Sequence, residues 1–313
     1  MTIAEMQAKF GIPGSVTVAK GRGGIPALAL SHASGAEAEV SLLGAHVTSW
    51  CTADGVDRLF LSRYAEFKPG GAIRGGVPVI FPQFANEGPF PKHGFARGAQ
   101  WTIERTAVAS DESVTVVLGL QDNLATRAVW PYSFRLELTV RLADTLTITL
   151  SCKNRDRERY SFTAALHSYF QVADAAQASV EGLKGLSYRD FGDNARGTEL
   201  RDAVTIEGEL DRAYVRAPRE IVLRDNAAGH TLRIRQENMP DIVVWNPWAE
   251  KSKELPDMAN EEYREMLCVE TCAIAEPVLL RPGETWIGTT EFTADVPGTV
   301  VPESAPAAEV PVG

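Results

Sequence analysis

Tyr132-Ser-Phe-Arg-Leu-Glu-Leu-Thr-Val and Thr145-Leu-Thr-Ile-Thr-Leu-Ser-Cys alternate apolar and polar side chains residue by residue. A period of two sends every second side chain to one face of an extended chain, so each run reads as a strand with one buried face. Trp101-Thr-Ile-Glu-Arg-Thr-Ala-Val and Ser113-Val-Thr-Val-Val-Leu repeat the pattern, and further strand-like runs lie at 231–235, 241–245, 267–274 and 285–292. Helical pattern is scarce: one or two turns at the N-terminus, then short candidates at 122–129 and 256–265. Many strands separated by Gly, Pro, Asn and Asp turns mean a sandwich or a barrel. No fixed-period repeat is visible, which argues against a propeller.

The 313 residues fit one all-β domain, because such domains often exceed ~200 residues. We expect that domain over 1–296, followed by a Pro/Ala-rich tail at 297–313 whose composition reads as disordered. A chain of this length buries a core large enough to need no metal or disulfide staple. Its formal net charge of −10 excludes a nucleic-acid binder, which needs a basic face. No stretch approaches the ~18 apolar residues of a membrane span, and the N-terminus lacks the basic start and apolar core of a signal peptide. Cys268 and Cys272 share one strand, four residues apart, which puts them ~13 Å from each other and out of disulfide reach. A reducing cytoplasm is the expected compartment.

One segment interrupts the strand rhythm. It reads Gly70-Gly-Ala-Ile-Arg-Gly-Gly-Val-Pro-Val-Ile-Phe-Pro-Gln-Phe-Ala-Asn-Glu-Gly-Pro-Phe-Pro-Lys-His-Gly-Phe-Ala-Arg and runs on to Gly98. A loop this long inside a compact domain is unusual unless it is functional. Arg74, Lys92, His93 and Arg97 make it cationic within an acidic chain, which suggests an anion site. Arginine's planar fork matches phosphate oxygens, and Gly75 and Gly76 would let backbone approach a ligand closely. The competing structural reading pairs Arg74 and Arg97 with surface carboxylates.

Two strands carry polar groups on apolar faces. In Ser161-Phe-Thr-Ala-Ala-Leu-His-Ser-Tyr-Phe-Gln-Val, alternation gives Phe162, Ala164, Leu166, Ser168, Phe170 and Val172 one face, and Thr163, Ala165, His167, Tyr169 and Gln171 the other. The first face is core; the second suits a sugar-binding surface, although a lone histidine there is more often structural. In Met266-Leu-Cys-Val-Glu-Thr-Cys-Ala-Ile both faces are largely apolar. A carboxylate there costs several kcal/mol unless it is paired or lines a cavity, so Glu270 stands out; the alternative is a structural Glu–Arg pair. If His167 and Glu270 meet across a pocket they form an acid–base pair, each holding the other charged. No metal-ligand spacing motif and no Gly-x-Ser-x-Gly elbow occurs, so neither a metal site nor a serine hydrolase is expected.

Five motifs in order, Arg74-Gly-Gly-Val-Pro with Phe81-Pro, His93-Gly-Phe-Ala-Arg97, Leu166-His-Ser-Tyr-Phe, Val243-Val-Trp-Asn-Pro-Trp248 and Cys268-Val-Glu270, resemble the glucose-6-phosphate 1-epimerase family. That family lies within the galactose mutarotase-like superfamily. The resemblance spans roughly residues 14–297. It implies a large antiparallel β-sandwich whose concave sheet binds sugar, and an isomerase exchanging the α and β anomers of a hexose 6-phosphate without a cofactor. It further implies His167 as general acid and Glu270 as general base, with His93 near the reacting centre. Asp211 would bind sugar hydroxyls, and Arg74 and Arg97 the phosphate. Lys92 departs from the family pattern, in which an uncharged residue often precedes the motif histidine; it is counted with the binding residues, the alternatives being a further phosphate contact or a side chain turned to solvent. A monomer without nucleic-acid or membrane partners is expected. The alternatives are a mutarotase for unphosphorylated aldoses and a non-catalytic sugar-phosphate binder.

Overall fold

The computed structural model describes residues 1–295; the expected disordered tail at 297–313 lies outside them. Strand-to-strand pairing is antiparallel throughout the three sheets. The nine-stranded sheet contains the alternating runs quoted first, now Thr102–Val108, Val114–Gln121, Phe134–Leu142 and Leu146–Asn154, continued by Thr285–Ala294 and His230–Glu237. The eight-stranded sheet runs in the order Arg196–Thr198, Ser187–Asp190, Leu210–Tyr214, Asp241–Asn246, Met266–Leu280, Tyr160–Leu166 and Val79–Ile80. Tyr169–Gln171 also pairs with Met266–Leu280. A four-stranded sheet from Val16–Lys20 to His46–Cys51 completes the set.

The two large sheets stack. Leu166, Phe170, Val244, Leu267 and Val269 of one share a core cluster with Leu136, Leu150, Ile234 and Phe292 of the other. Phe170 meets Phe292 edge-on at 5.1 Å between ring centroids, and the Thr271 and Thr290 hydroxyls are 2.5 Å apart across the same interface. One face of the eight-stranded sheet is thus committed to the sandwich core. The other carries Asp211, Val243, Trp245, Glu270, His167 and Tyr169, and that face holds the site.

The expected strand from Ser161 onward is interrupted. Tyr160–Leu166 ends, His167 and Ser168 fall outside regular strand, and Tyr169–Gln171 resumes. The long loop is the cause: it takes the backbone N–H of His167 on the Pro78 carbonyl and that of Tyr169 on the Gly76 carbonyl, at 3.0 and 2.9 Å. Register against Met266–Leu280 nevertheless carries straight through. Leu166 faces Thr271 and Tyr169 faces Cys268, three steps along each strand, so His167 lies opposite Glu270.

Two helix expectations hold: Ile3–Phe10, closed by a Thr2/Glu5 capping box, and Leu124–Val129, capped by Asn123. The helix expected over 256–265 is only a 3₁₀ turn at Glu262–Glu265, and a short helix at Trp248–Ser252 precedes it. The segment's acids are engaged elsewhere. Buried Glu262 accepts from the Ser62 hydroxyl, Arg63 and the Ala259 N–H, while Asp257 binds Arg74. Tertiary hydrogen bonds override local helix preference here.

Candidate active site

A cavity of about 350 Å³ opens on the free face of the eight-stranded sheet, within the range of small-molecule sites. All seven residues singled out in the sequence line it: Arg74, Lys92, His93, Arg97, His167, Asp211 and Glu270. The loop at 70–98 supplies four of them as wall, and the strands supply the rest.

His167 Nε2 lies 3.4 Å from Glu270 Oε1, with 7% and 1% of each residue exposed. His167 Nδ1 and Glu270 Oε2 have no hydrogen-bond partner. Such unsatisfied buried atoms are rare in native proteins and call for a reason, of which a catalytic role is one. Burial acts against the charged pair expected from the sequence. Burial, with the Arg97 and Arg74 cations nearby, holds the His167 imidazolium well below its ordinary pKa. Burial, with Asp211 acting the same way, pushes the Glu270 carboxyl well above the usual range. For both groups desolvation is the leading cause, and it acts against the charged form.

His93 has a fixed tautomer. The Ala85 N–H donates to its Nδ1 at 3.2 Å, and the His93 N–H returns a bond to the Ala85 carbonyl at 2.9 Å. Burial, then Arg97, Lys92 and Arg74, hold its pKa down to about 2. The ring is therefore neutral with its proton on Nε2, a donor lying 5.6 Å, centroid to centroid, from the His167 ring.

The cations divide. Arg74 donates through Nε and Nη2 to Asp257 at 3.2 and 3.1 Å, and through Nη1 to the Tyr169 hydroxyl at 3.0 Å. Arg74 thus meets a carboxylate while still lining the cavity. Arg97 donates only to the Lys92 carbonyl, at 3.0 Å, and among the described residues neither Arg97 nor the Lys92 ammonium meets a carboxylate within ion-pair distance. Burial pushes the Lys92 pKa down, opposed by Asp211. Burial also raises the Asp211 carboxyl to about 7, with Lys92 opposing.

Gly75 and Gly76 serve the chain rather than a ligand, correcting their expected role. Both have positive φ, 117° and 60°. A Cβ on Gly75 would sit 2.4 Å from the Phe60 carbonyl oxygen, and one on Gly76 2.3 Å from that of Val47. Their absent side chains let the loop lie flat on neighbouring backbone, which fixes where Arg74 points.

Sequence reasoning missed several lining residues. Tyr169 stacks on His167 with centroids 4.7 Å apart and planes 8° apart, and Trp245 stands edge-on to both rings. Tyr169 shares strand parity with His167, a signal that was available. Asp257, and the Arg189–Glu87 pair at 2.8 Å beside the cavity, gave no local signal. His167, Cys268 and Glu270 each offer a ligand atom within 4.8 Å of the other two. A spacing motif could not reveal this trio, because it is assembled from two strands.

A family model described as aldose 1-epimerase matches residues 26–293. The chain belongs to the aldose 1-epimerase family. It is accordingly an isomerase. A protein of Cenchrus ciliaris named "Putative glucose-6-phosphate 1-epimerase" is 38% identical over 280 residues, covering 87% of this chain and 85% of that one. An Escherichia coli K12 protein of the same name is 34% identical, covering 77% and 81%. A crystal structure described as "a putative mutarotase" from Salmonella typhimurium superposes with a TM-score of 0.80 at 29% identity, over 86% of this epimerase and 90% of that chain. A galactose mutarotase related enzyme from Lactobacillus acidophilus, at 16% identity and a TM-score of 0.65, shares the fold over 83% and 95% of the two chains.

Proposed function

We propose that this epimerase interconverts the α and β anomers of an aldohexose 6-phosphate, glucose 6-phosphate above all, as a cytoplasmic monomer acting through one domain at 1–296. The observation carrying the reading is the opposed His167–Glu270 pair on the floor of a cavity whose wall holds two cations, Arg97 and Lys92, with no carboxylate partner among the described residues. Relatives named for glucose 6-phosphate support the phosphorylated substrate.

Ring opening requires a base at the C1 hydroxyl and an acid at the ring oxygen. Arrival of the substrate phosphate offsets Arg74 and Arg97, two of the charges that disfavour the His167 imidazolium. The acting forms are a Glu270 carboxylate and a His167 imidazolium. Glu270 takes the C1 hydroxyl proton, the C1–O5 bond opens, and His167 protonates O5. Rotation about C1–C2 and the reverse transfers give the other anomer. Each positioned proton transfer typically contributes ~10²–10⁴-fold. His93 donates from Nε2 beside the reacting centre, and Asp211 accepts hydrogen bonds from sugar hydroxyls. Arg97, Lys92 and Arg74 hold the phosphate, fixing C6 and so orienting C1.

Arg97→Ala tests the phosphate assignment. KM for glucose 6-phosphate should rise about tenfold or more, as expected for a charge-assisted contact worth ~1.5–3 kcal/mol, while any slow turnover of free glucose stays unchanged. Equal effects on both sugars would remove Arg97 from the phosphate site and favour unphosphorylated aldoses.

A further inference from the structure

The mechanism leaves Cys268 unexplained. It precedes Glu270 by two residues on one strand and so shares its face, between Tyr169 on one neighbouring strand and Trp245 on the other. It is a free thiol, fully buried, and makes no side-chain hydrogen bond among the described residues. Beside it stand His167 and Glu270, the three residues each offering a ligand atom within 4.8 Å of the other two. Imidazole, thiol and carboxylate together are a donor set for borderline-soft divalent ions.

We infer that His167, Cys268 and Glu270 form a binding site for a borderline-soft divalent cation such as Zn²⁺, and that its occupation switches the enzyme off. Tetrahedral coordination with bonds of about 2.0–2.3 Å sets ligand atoms roughly 3.3–3.8 Å apart. His167 Nε2 and Glu270 Oε1 are already 3.4 Å apart, and the 4.8 Å bound on the trio leaves the sulfur about 1 Å to close, within reach of a small side-chain adjustment. His167 and Glu270 line the cavity, so an ion enters from that side and keeps its fourth position toward it. Binding displaces the thiol proton and the carboxyl proton to solvent, with no redox change. The two anionic ligands neutralise the ion's double charge, so binding adds no net positive charge beside Arg74, Arg97 and Lys92. The bound ion occupies the lone pairs that His167 and Glu270 need for proton transfer. Inhibition rests on the proposed function; metal binding does not.

The test titrates the full-length chain with Co²⁺, reading thiolate-to-cobalt charge-transfer absorption, and with Zn²⁺, reading glucose 6-phosphate anomerisation. The expected result is a one-to-one thiolate band and Zn²⁺ inhibition reversed by a chelator. Cys268→Ala and Cys268→Val, made together so that a packing defect in one is recognised, should keep turnover and lose the band. They should need about tenfold more Zn²⁺ for inhibition, or beyond, as expected for loss of a metal-site contact. No thiolate band in wild type, or unchanged Zn²⁺ sensitivity in both variants, overturns the site. A band in a chain inactive on every sugar would retain the metal site and refute the proposed function alone.

Discussion

Glu270 points one carboxylate oxygen toward His167 and leaves the other without a partner. Glu270 was legible as a carboxylate on an otherwise apolar strand face, and His167 as an ionisable group on a face of small and hydrogen-bonding residues. The direction of their pKa shifts was not, because burial depends on what the loop and neighbouring strands cover. Asp211 shows the same dependence and gives a pH prediction. Its carboxyl titrates near 7 in the folded protein and near ~3.9 when unfolded. Between those values the folded state binds more protons, so this group makes stability fall as pH rises from about 4 to 7. Asp211→Asn removes that contribution. Its Tm should gain on wild type across the window and stay ahead at pH 8, while sugar-phosphate affinity weakens. Parallel Tm profiles for the two proteins would show that Asp211 carries no such penalty.

At the scale of elements, the strand interruption at His167 and Ser168 is the feature that period-two reading could not supply. Alternation assigned the faces correctly, since Leu166 and Phe170 enter the core while His167 and Tyr169 enter the cavity. The loop's capture of two strand N–H groups is a non-local event with no sequence period. The helix expected at 256–265 failed for a related reason, its Asp257 and Glu262 being drawn to residues 62–74. The loop itself depends on close approach. Gly76→Ala forces a Cβ to 2.3 Å from the Val47 carbonyl at a positive φ, so stability should fall by about 2 kcal/mol or more. KM for the sugar phosphate should rise as Arg74 is displaced. Denaturant melts and kinetics measure both; an unaffected variant would mean that the Gly75–Gly76 approach does not hold the loop.

Across the whole molecule, a formal charge of −10 coexists with a cavity walled by Arg74, Lys92 and Arg97. Local and global charge are independent quantities, and the cavity's sign decides what enters. The sandwich was readable from alternation alone, because a strand's period is intrinsic to its backbone. The grouping of seven residues from distant segments was readable only through the resemblance. If the cations await phosphate, glucose 6-phosphate at ~100 times its Kd stabilises the folded state by ~2.7 kcal/mol and raises Tm by a few degrees. Equal concentrations of free glucose should produce little shift; an equal shift from both would place the binding energy on the sugar ring.

The most direct test of the central claim is anomer exchange of glucose 6-phosphate, followed by NMR, with wild type and Glu270→Gln side by side. The account predicts accelerated exchange by wild type and a loss of about 10²-fold or more in the variant, with sugar-phosphate binding nearly intact. A Glu270→Gln enzyme as fast as wild type would contradict it.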